Sequence, residues 1–202
     1  MSLKNMPKGR FAQQHFVARE MTVTKSEKYV NMADIKSGPA QGDEETVALI
    51  ELLFFAYRDF VSDPDELLKE LGFGRAHHRV VHFAGRDPGM TVASLLDILR
   101  ITKQSLGRVL KDLIDKDYVF QKEGDSDRRQ RLLYLTEKGE ALRRKLMAPQ
   151  MARIRRALQQ SGQGAAGHAR DILYHLVSPE NRDSVLDWIG KAGAPRRGGP
   201  RG

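Results

Sequence analysis

Cysteine is absent from all 202 residues. That excludes a disulfide framework, a thiolate zinc site and any sensor based on thiol oxidation. Long apolar runs are missing too: nothing approaches the roughly 18 residues of a membrane span. The opening "MSLKNMPKGRFAQQHF" is basic but has neither a long apolar segment nor a small-residue cleavage site, so it does not read as a secretory signal. No internal repeat is evident. Acidic residues are fewer than basic ones, 26 against 34, for a formal net charge of +8. These absences leave a cytoplasmic protein with no membrane association as the expectation. The surplus charge suits an anionic partner, nucleic acid first and anionic lipid second.

With 40% apolar and 30% charged residues, the chain reads as globular, with one good-sized core or two small ones. Residues 1–42 are polar, basic and weakly periodic, and read as a flexible N-terminal arm. Residues 193–202, within "KAGAPRRGGPRG", read as a disordered tail. Between them helical signals dominate. "DEETVALIELLFFAYRDFVS" (43–62) opens on acids and carries Val47, Ile50, Leu53, Phe54, Tyr57 and Val61 at helical spacing. Leu49, Leu52, Phe55 and Phe60 make it apolar nearly all round, which predicts burial on more than one side, against a second subunit. "SDPDELLKELG" predicts a restart, with Ser62 or Asp63 as cap and Pro64 as first residue. Residues 43–73 are thus assigned to N-terminal dimerisation helices.

Further helices are expected at 74–89, stopped by Asp87-Pro88-Gly89, at 91–100, capped by Thr91, and from Thr102, whose side chain caps "KQSLGRVLKDLIDK". Leu106, Val109, Leu110, Leu113 and Ile114 fill one stripe of that helix. A hairpin follows, "YVFQKE" and "RLLYLT" joined by "GDSDRRQ" (124–130). A long basic helix runs over 136–160 with Thr136 as cap and a bend expected at Pro149. Two more follow, the second opening on Ser178-Pro179-Glu180. Residues 74–136 make a winged helix-turn-helix, and 137–192 a linker helix with C-terminal dimerisation helices. The fold class is mainly α with a small β-hairpin wing, a winged helix-turn-helix plus a helical dimerisation region.

Helix, three-residue turn, helix, charged hairpin is the order that carries chemistry. Successive helical residues advance by about 100°. Gln104, Arg108 and Lys111 therefore lie opposite Leu106, Val109, Leu110 and Leu113, with Ser105 flanking them and Thr102 and Lys103 at the N-terminal end. Gln reads adenine, Arg reads guanine, Ser bonds base or phosphate, and Lys holds phosphate. The plainer alternative is an amphipathic helix with a solvated face. The wing decides against it: an arginine at such a tip, Arg128 or Arg129, reaches the negative potential of the minor groove. Asp127, of the wrong sign for DNA, is assigned to holding an arginine in place.

"ITKQSLGRVLKDLIDKDYVFQKEGDSDRRQRLLYLTEKGEALRRKL" resembles the MarR family of bacterial transcriptional regulators. The Thr-x-x-Ser start of the recognition helix, the Asp-Arg-Arg of the wing (127–129) and "LYLTEKG" (133–139) carry the likeness, which extends from about Thr46 to Gly190. "GRAHHRV" resembles the PetP-like branch of that family. Its usual wing has an acid–x–Arg–Asp–x–Arg pattern. Ser126 replaces the first arginine here, so Asp127 and Arg129 carry over and Arg128 takes the variable place. The resemblance implies a homodimer with interlocked N- and C-terminal helices, including Leu173, Leu176, Leu186 and Trp188, and two winged helices on an inverted repeat. It also implies a pocket for a small anionic effector between the dimer helices and the DNA-binding lobe, assigned here to Phe55, Arg75, His78, Arg79 and His82.

His78 and His82 share a helical face, which invites a metal reading. Arg75, Arg79 and Arg86 on that face oppose a cation, and no neighbouring Cys, Asp or Glu completes a ligand set. His77, beside Val80, Val81 and Ala84, reads as a core or edge histidine. No metal or cofactor is expected. Three functions compete: a sequence-specific dimeric repressor or activator of double-stranded DNA, an architectural DNA binder without effector, and an enzyme built on "HHRVVH". The last lacks a nucleophile–base pair, a phosphate loop and paired carboxylates. The varied polar face of the recognition helix favours the first.

Overall fold

The computed structural model describes residues 43–124 and 127–191, with the side chain of Lys191 left out. The N-terminal arm, the tail, Asp125 and Ser126 lie outside the described residues. Helix α1 (Glu44–Glu70) opens on two glutamates that suit its N-terminal dipole. The chain divides into two units inside this helix, between Leu49 and Ile50. The expected restart at Ser62–Asp63 does not occur: α1 runs through Pro64 without a break. Ser62 Oγ donates to the Asp59 carbonyl at 2.8 Å, and Asp63 takes a two-pronged ion pair from Arg153, at 2.9 and 3.1 Å. Proline removes one N–H and crowds the preceding turn, which ordinarily kinks a helix. Here tertiary contacts on both sides hold the turn.

Helix α2 (Arg75–Arg86) begins after Gly74, whose N–H is accepted by His77 Nδ1 at 3.1 Å. Strand β1 (Met90–Thr91) leads into α3 (Val92–Leu99), where Thr91 Oγ1 accepts from Ser94 N. Helix α4 (Lys103–Asp115) is followed by β2 (Val119–Glu123) and β3 (Arg131–Leu135). The predicted hairpin is therefore the larger part of a three-stranded antiparallel sheet, ordered β1-β3-β2, with Met90 opposite Leu133 and Gln121 on the other side of Leu133.

Val80, Val81 and Ala84 of α2, Leu95 of α3, and Leu106 and Leu113 of α4 are wholly buried, together with Leu133 of β3 and Leu68 of α1. Each such Leu or Val contributes about 1.5–3 kcal/mol by leaving water. Ile114, expected in the same stripe, is exposed, because the core lies toward Leu110 and Leu113 and the helix turns Ile114 past its edge.

Helix α5 (Glu137–Gln160) contains Pro149 and buries Leu142 and Leu146 against this core. Its start is fastened by Thr136, which donates to the Asp117 carbonyl at 2.7 Å and accepts from Gly139 N at 3.0 Å. A Cβ at Gly139 would lie 2.0 Å from the Tyr118 carbonyl oxygen, so only glycine admits this closeness of α5 to the end of α4. Helices α6 (Ala165–Leu176) and α7 (Arg182–Lys191) are joined by a 3₁₀ turn, Pro179–Asn181. Arg182 closes the C-terminus of α6 by donating to the carbonyls of His175 and Val177. Trp188, expected at a subunit boundary, packs edge-on against Phe83 of its own chain, ring centroids 4.9 Å apart. No described helix is long and apolar enough to cross a membrane.

Candidate nucleic-acid interface

The N-terminus of α4 is built by a reciprocal pair. Thr102 Oγ1 accepts from Ser105 N at 3.1 Å and donates to Ser105 Oγ at 2.9 Å. This satisfies one otherwise orphaned helix donor and fixes the half-buried Ser105 hydroxyl. Lys103, Gln104, Arg108 and Lys111 are exposed, while Leu106, Val109, Leu110 and Leu113 point inward. The polar face expected from spacing is therefore the solvent face. Lys111 is not free on it: its ammonium is ion-paired to Asp115, one turn on, and that hydrogen bond raises its pKa above the ordinary value.

The far end of α4 is pinned from behind. His77 stacks on Phe73, centroids 4.6 Å apart, and its Nε2 lies 3.3 Å from Asp112 Oδ2. Lys116 donates to the Leu71 carbonyl at 2.7 Å across the face of the Phe73 ring. His77 is thus a structural histidine at the core's edge, engaged through both ring nitrogens.

At the wing tip, Gln130 N donates to the Asp127 carbonyl at 3.0 Å and Gly124 N to the Gln130 carbonyl at 3.1 Å. The Asp127 carboxylate accepts from the backbone N–H of Arg129 at 2.9 Å. It is by this backbone bond that Asp127 holds an arginine in place. Arg128 and Arg129 are exposed. Arg131 at the base of the tip pairs with Glu123 across the strands at 2.8 Å.

A separate cavity of about 690 Å³ lies between α1, α2, α3 and α5. Of the residues assigned to an effector pocket, Arg75, His78, Arg79 and His82 line it; Phe55 does not, and lies under the Arg58 guanidinium at 4.9 Å. Arg75 is neutralised by Asp65 at 2.8 Å, and Arg79 donates to the Tyr57 hydroxyl at 3.3 Å. Burial pushes the His82 pKa down to about 4, with His78, Arg86 and Arg143 adding repulsion. His78 is also lowered, by burial first, against the pull of Asp65. Both histidines are uncharged near neutral pH.

The walls are apolar, Phe60, Val61, Phe83, Ile98, Leu99, Met147 and Ile154 among them, and Gln150 and Arg155 join from α5. Sequence reasoning missed these because α5 lies far beyond α2 along the chain, and its basic surface gave no sign of which turn faces the cavity. Among the described residues no three His, Cys, Asp or Glu side chains are gathered as a metal site.

The model of the MarR family matches residues 71–130, from the end of α1 to the wing tip. Over 140 residues the chain is 46% identical to the HTH-type transcriptional regulator PetP of Rhodobacter capsulatus, covering 69% of this chain and 84% of that protein. Its fold is similar to that of Streptococcus pneumoniae FabT, solved in complex with DNA, with TM-score 0.59 and 18% identity over 65% of this chain and 94% of the other. The transcriptional regulator SlyA is similar at TM-score 0.55 and 18% identity, over 70% and 97% of the two chains. At such identity these two speak for the fold, while the PetP match carries the kinship. The chain belongs to the MarR family of transcriptional regulators.

Proposed function

We propose that the chain is a homodimeric regulator acting in the cytoplasm, which grips an inverted-repeat operator with two winged helices and responds to a small anionic ligand. The observation that carries the DNA reading is the outward face of α4, where Gln104 and Arg108 stand exposed near a capped N-terminus, with a wing that holds Arg129 at its tip. A recognition helix enters the major groove by its N-terminal half, and a wing arginine meets the adjacent minor groove. The mixture of amide, hydroxyl and guanidinium groups on α4 suits base reading, which favours a sequence-specific regulator over an architectural binder. FabT, solved with DNA, lends the reading support.

The dimer reading rests on apolar side chains that the chain leaves uncovered. Leu53 and Phe54 of α1, Ile172, Leu173 and Leu176 of α6, and Leu186 and Ile189 of α7 are all exposed. A soluble monomer seldom presents so much, whereas a two-fold partner buries it and sets two recognition helices on a palindrome. The ligand reading rests on the cavity: apolar walls favour a flat or branched apolar body, and Arg79 and Arg155 at the lining favour a negative group.

Selection of duplexes from a random-sequence pool, with light scattering of the free protein, tests both parts. The expected result is an enriched inverted repeat bound by a dimer. A stable monomer at micromolar concentration removes the palindrome. A pool that stays unenriched despite tight binding replaces sequence-specific recognition with architectural binding.

A further inference from the structure

Gly107 sits in the middle of α4, between Gln104 and Arg108 and one turn from both Lys103 and Lys111. Glycine is the costliest helix-interior residue after proline, because it loses the most backbone freedom and packs nothing. Such a residue is normally explained by conformation or by packing. Neither applies. Gly107 is not among the described residues with positive φ, and a Cβ built on it would have nothing within 4 Å. The contrast with Gly139 and Gly85 is direct: there a Cβ would meet the Tyr118 carbonyl at 2.0 Å and Arg143 Cδ at 2.3 Å. Gly167 and Gly190 are as open as Gly107. What sets Gly107 apart is its surroundings.

It forms part of a recess of about 390 Å³ between α4 and the wing strand β2. Val92, Leu110 and Ile114 supply apolar surface, Lys103 supplies an ammonium group, Lys111 supplies a second that is ion-paired to Asp115, itself part of the lining, and Gln121 contributes an amide from β2. Resting on the DNA-binding reading above, we infer that the missing side chain at Gly107 admits one sugar–phosphate strand of the DNA into this recess. Deoxyribose presents C–H surface to the apolar side chains, one flanking phosphate meets Lys103, and the other competes with Asp115 for Lys111. The placement suits that strand: it lies between the groove entered by α4 and the groove reached by the wing. Gly107 is then a positioning residue that sets how deeply the recognition helix seats.

The test is Gly107→Ala with Gly107→Leu, measured by fluorescence anisotropy on a duplex selected from a random pool and on a random-sequence duplex. Gly107→Ala should raise the melting temperature by about 2–4 °C, since alanine is the better helix former and meets nothing. It should nonetheless weaken both duplexes about tenfold, and Gly107→Leu should weaken them further and lower the salt slope, because a strand kept out of the recess no longer meets the lysines. Wild-type affinity in a stabilised Gly107→Ala protein overturns the inference while leaving the DNA-binding reading intact. A loss confined to one sequence also overturns it, because the contact would then be a base edge. A wild-type protein that binds neither duplex removes the DNA-binding reading, and the inference with it.

Discussion

Gln150 of α5 donates its side-chain N–H to the carbonyl oxygen of Phe60 in α1 at 3.3 Å. That carbonyl is the one Pro64 leaves unsatisfied, since residue 64 would bond the carbonyl four residues back if it had an N–H. Gln150 is only 8% exposed, and it also lines the large cavity. A buried amide from a distant helix thus replaces a main-chain bond, and α1 continues through its proline.

Gln150→Leu should destabilise the fold by about 1–3 kcal/mol, the range for a buried acceptor left unpaired. In a Pro64→Ala background the same change should cost much less, because alanine restores the missing backbone N–H. Urea unfolding of the two single variants and the double measures the coupling. Strict additivity would show that Gln150 does not act on the Phe60 carbonyl.

At the wing, Asp127→Asn should bind operator nearly as wild type, since an amide oxygen still accepts from Arg129 N–H. Asp127→Ala should weaken binding roughly tenfold (about 1.4 kcal/mol), and Arg129→Ala at least as much. The loss with Arg129→Ala should be greatest on A·T-rich flanks, whose narrow minor groove concentrates negative potential. If charge alone mattered, Asn and Ala would both tighten binding equally at matched salt. That result would remove the turn-holding role.

The Lys111–Asp115 pair makes an opposite pair of expectations. Lys111→Ala should weaken all duplexes alike and lower the salt slope by roughly one. Asp115→Asn should release the ammonium and tighten all duplexes. Arg108→Ala should instead cost about 1–3 kcal/mol at one base position. An Asp115→Asn protein with unchanged affinity at low salt would place Lys111 away from any phosphate.

Acid should act through His82. Its pKa falls from 6.5 to about 4 on folding, so the unfolded chain binds the extra proton between those values. The contribution of neutral His82 is therefore complete above pH 6.5 and is lost as pH falls toward 4, on the order of 3 kcal/mol in all. His78, lowered in the same direction, adds to the slope. Denaturant unfolding across this window should show a flatter profile for His82→Leu than for wild type. Parallel profiles would assign the acid sensitivity to other groups.

The sequence by itself determined what local physics governs. Thr91, Thr102 and Thr136 cap the helices they were expected to cap, because an Ncap hydroxyl bonds an N–H only three residues away. The inward face of α4 followed from helical period, and the strands from runs of β-formers around a charged turn. Tertiary structure decided what depends on partners far along the chain. Strand β1 is two residues long, too short for any pattern, and exists because Leu132 and Leu133 offer a free edge. Pro64 reads as a helix start until Gln150, on a helix distant in sequence, supplies the missing donor. The cavity draws its lining from four helices, so periodicity found the cationic face of α2 but neither the apolar walls opposite it nor the displacement of Phe55. A cap or a stripe is fixed over one or two turns, where chain geometry leaves few alternatives. A cavity or a rescued proline depends on which helices meet, and that is settled by burial of the whole core.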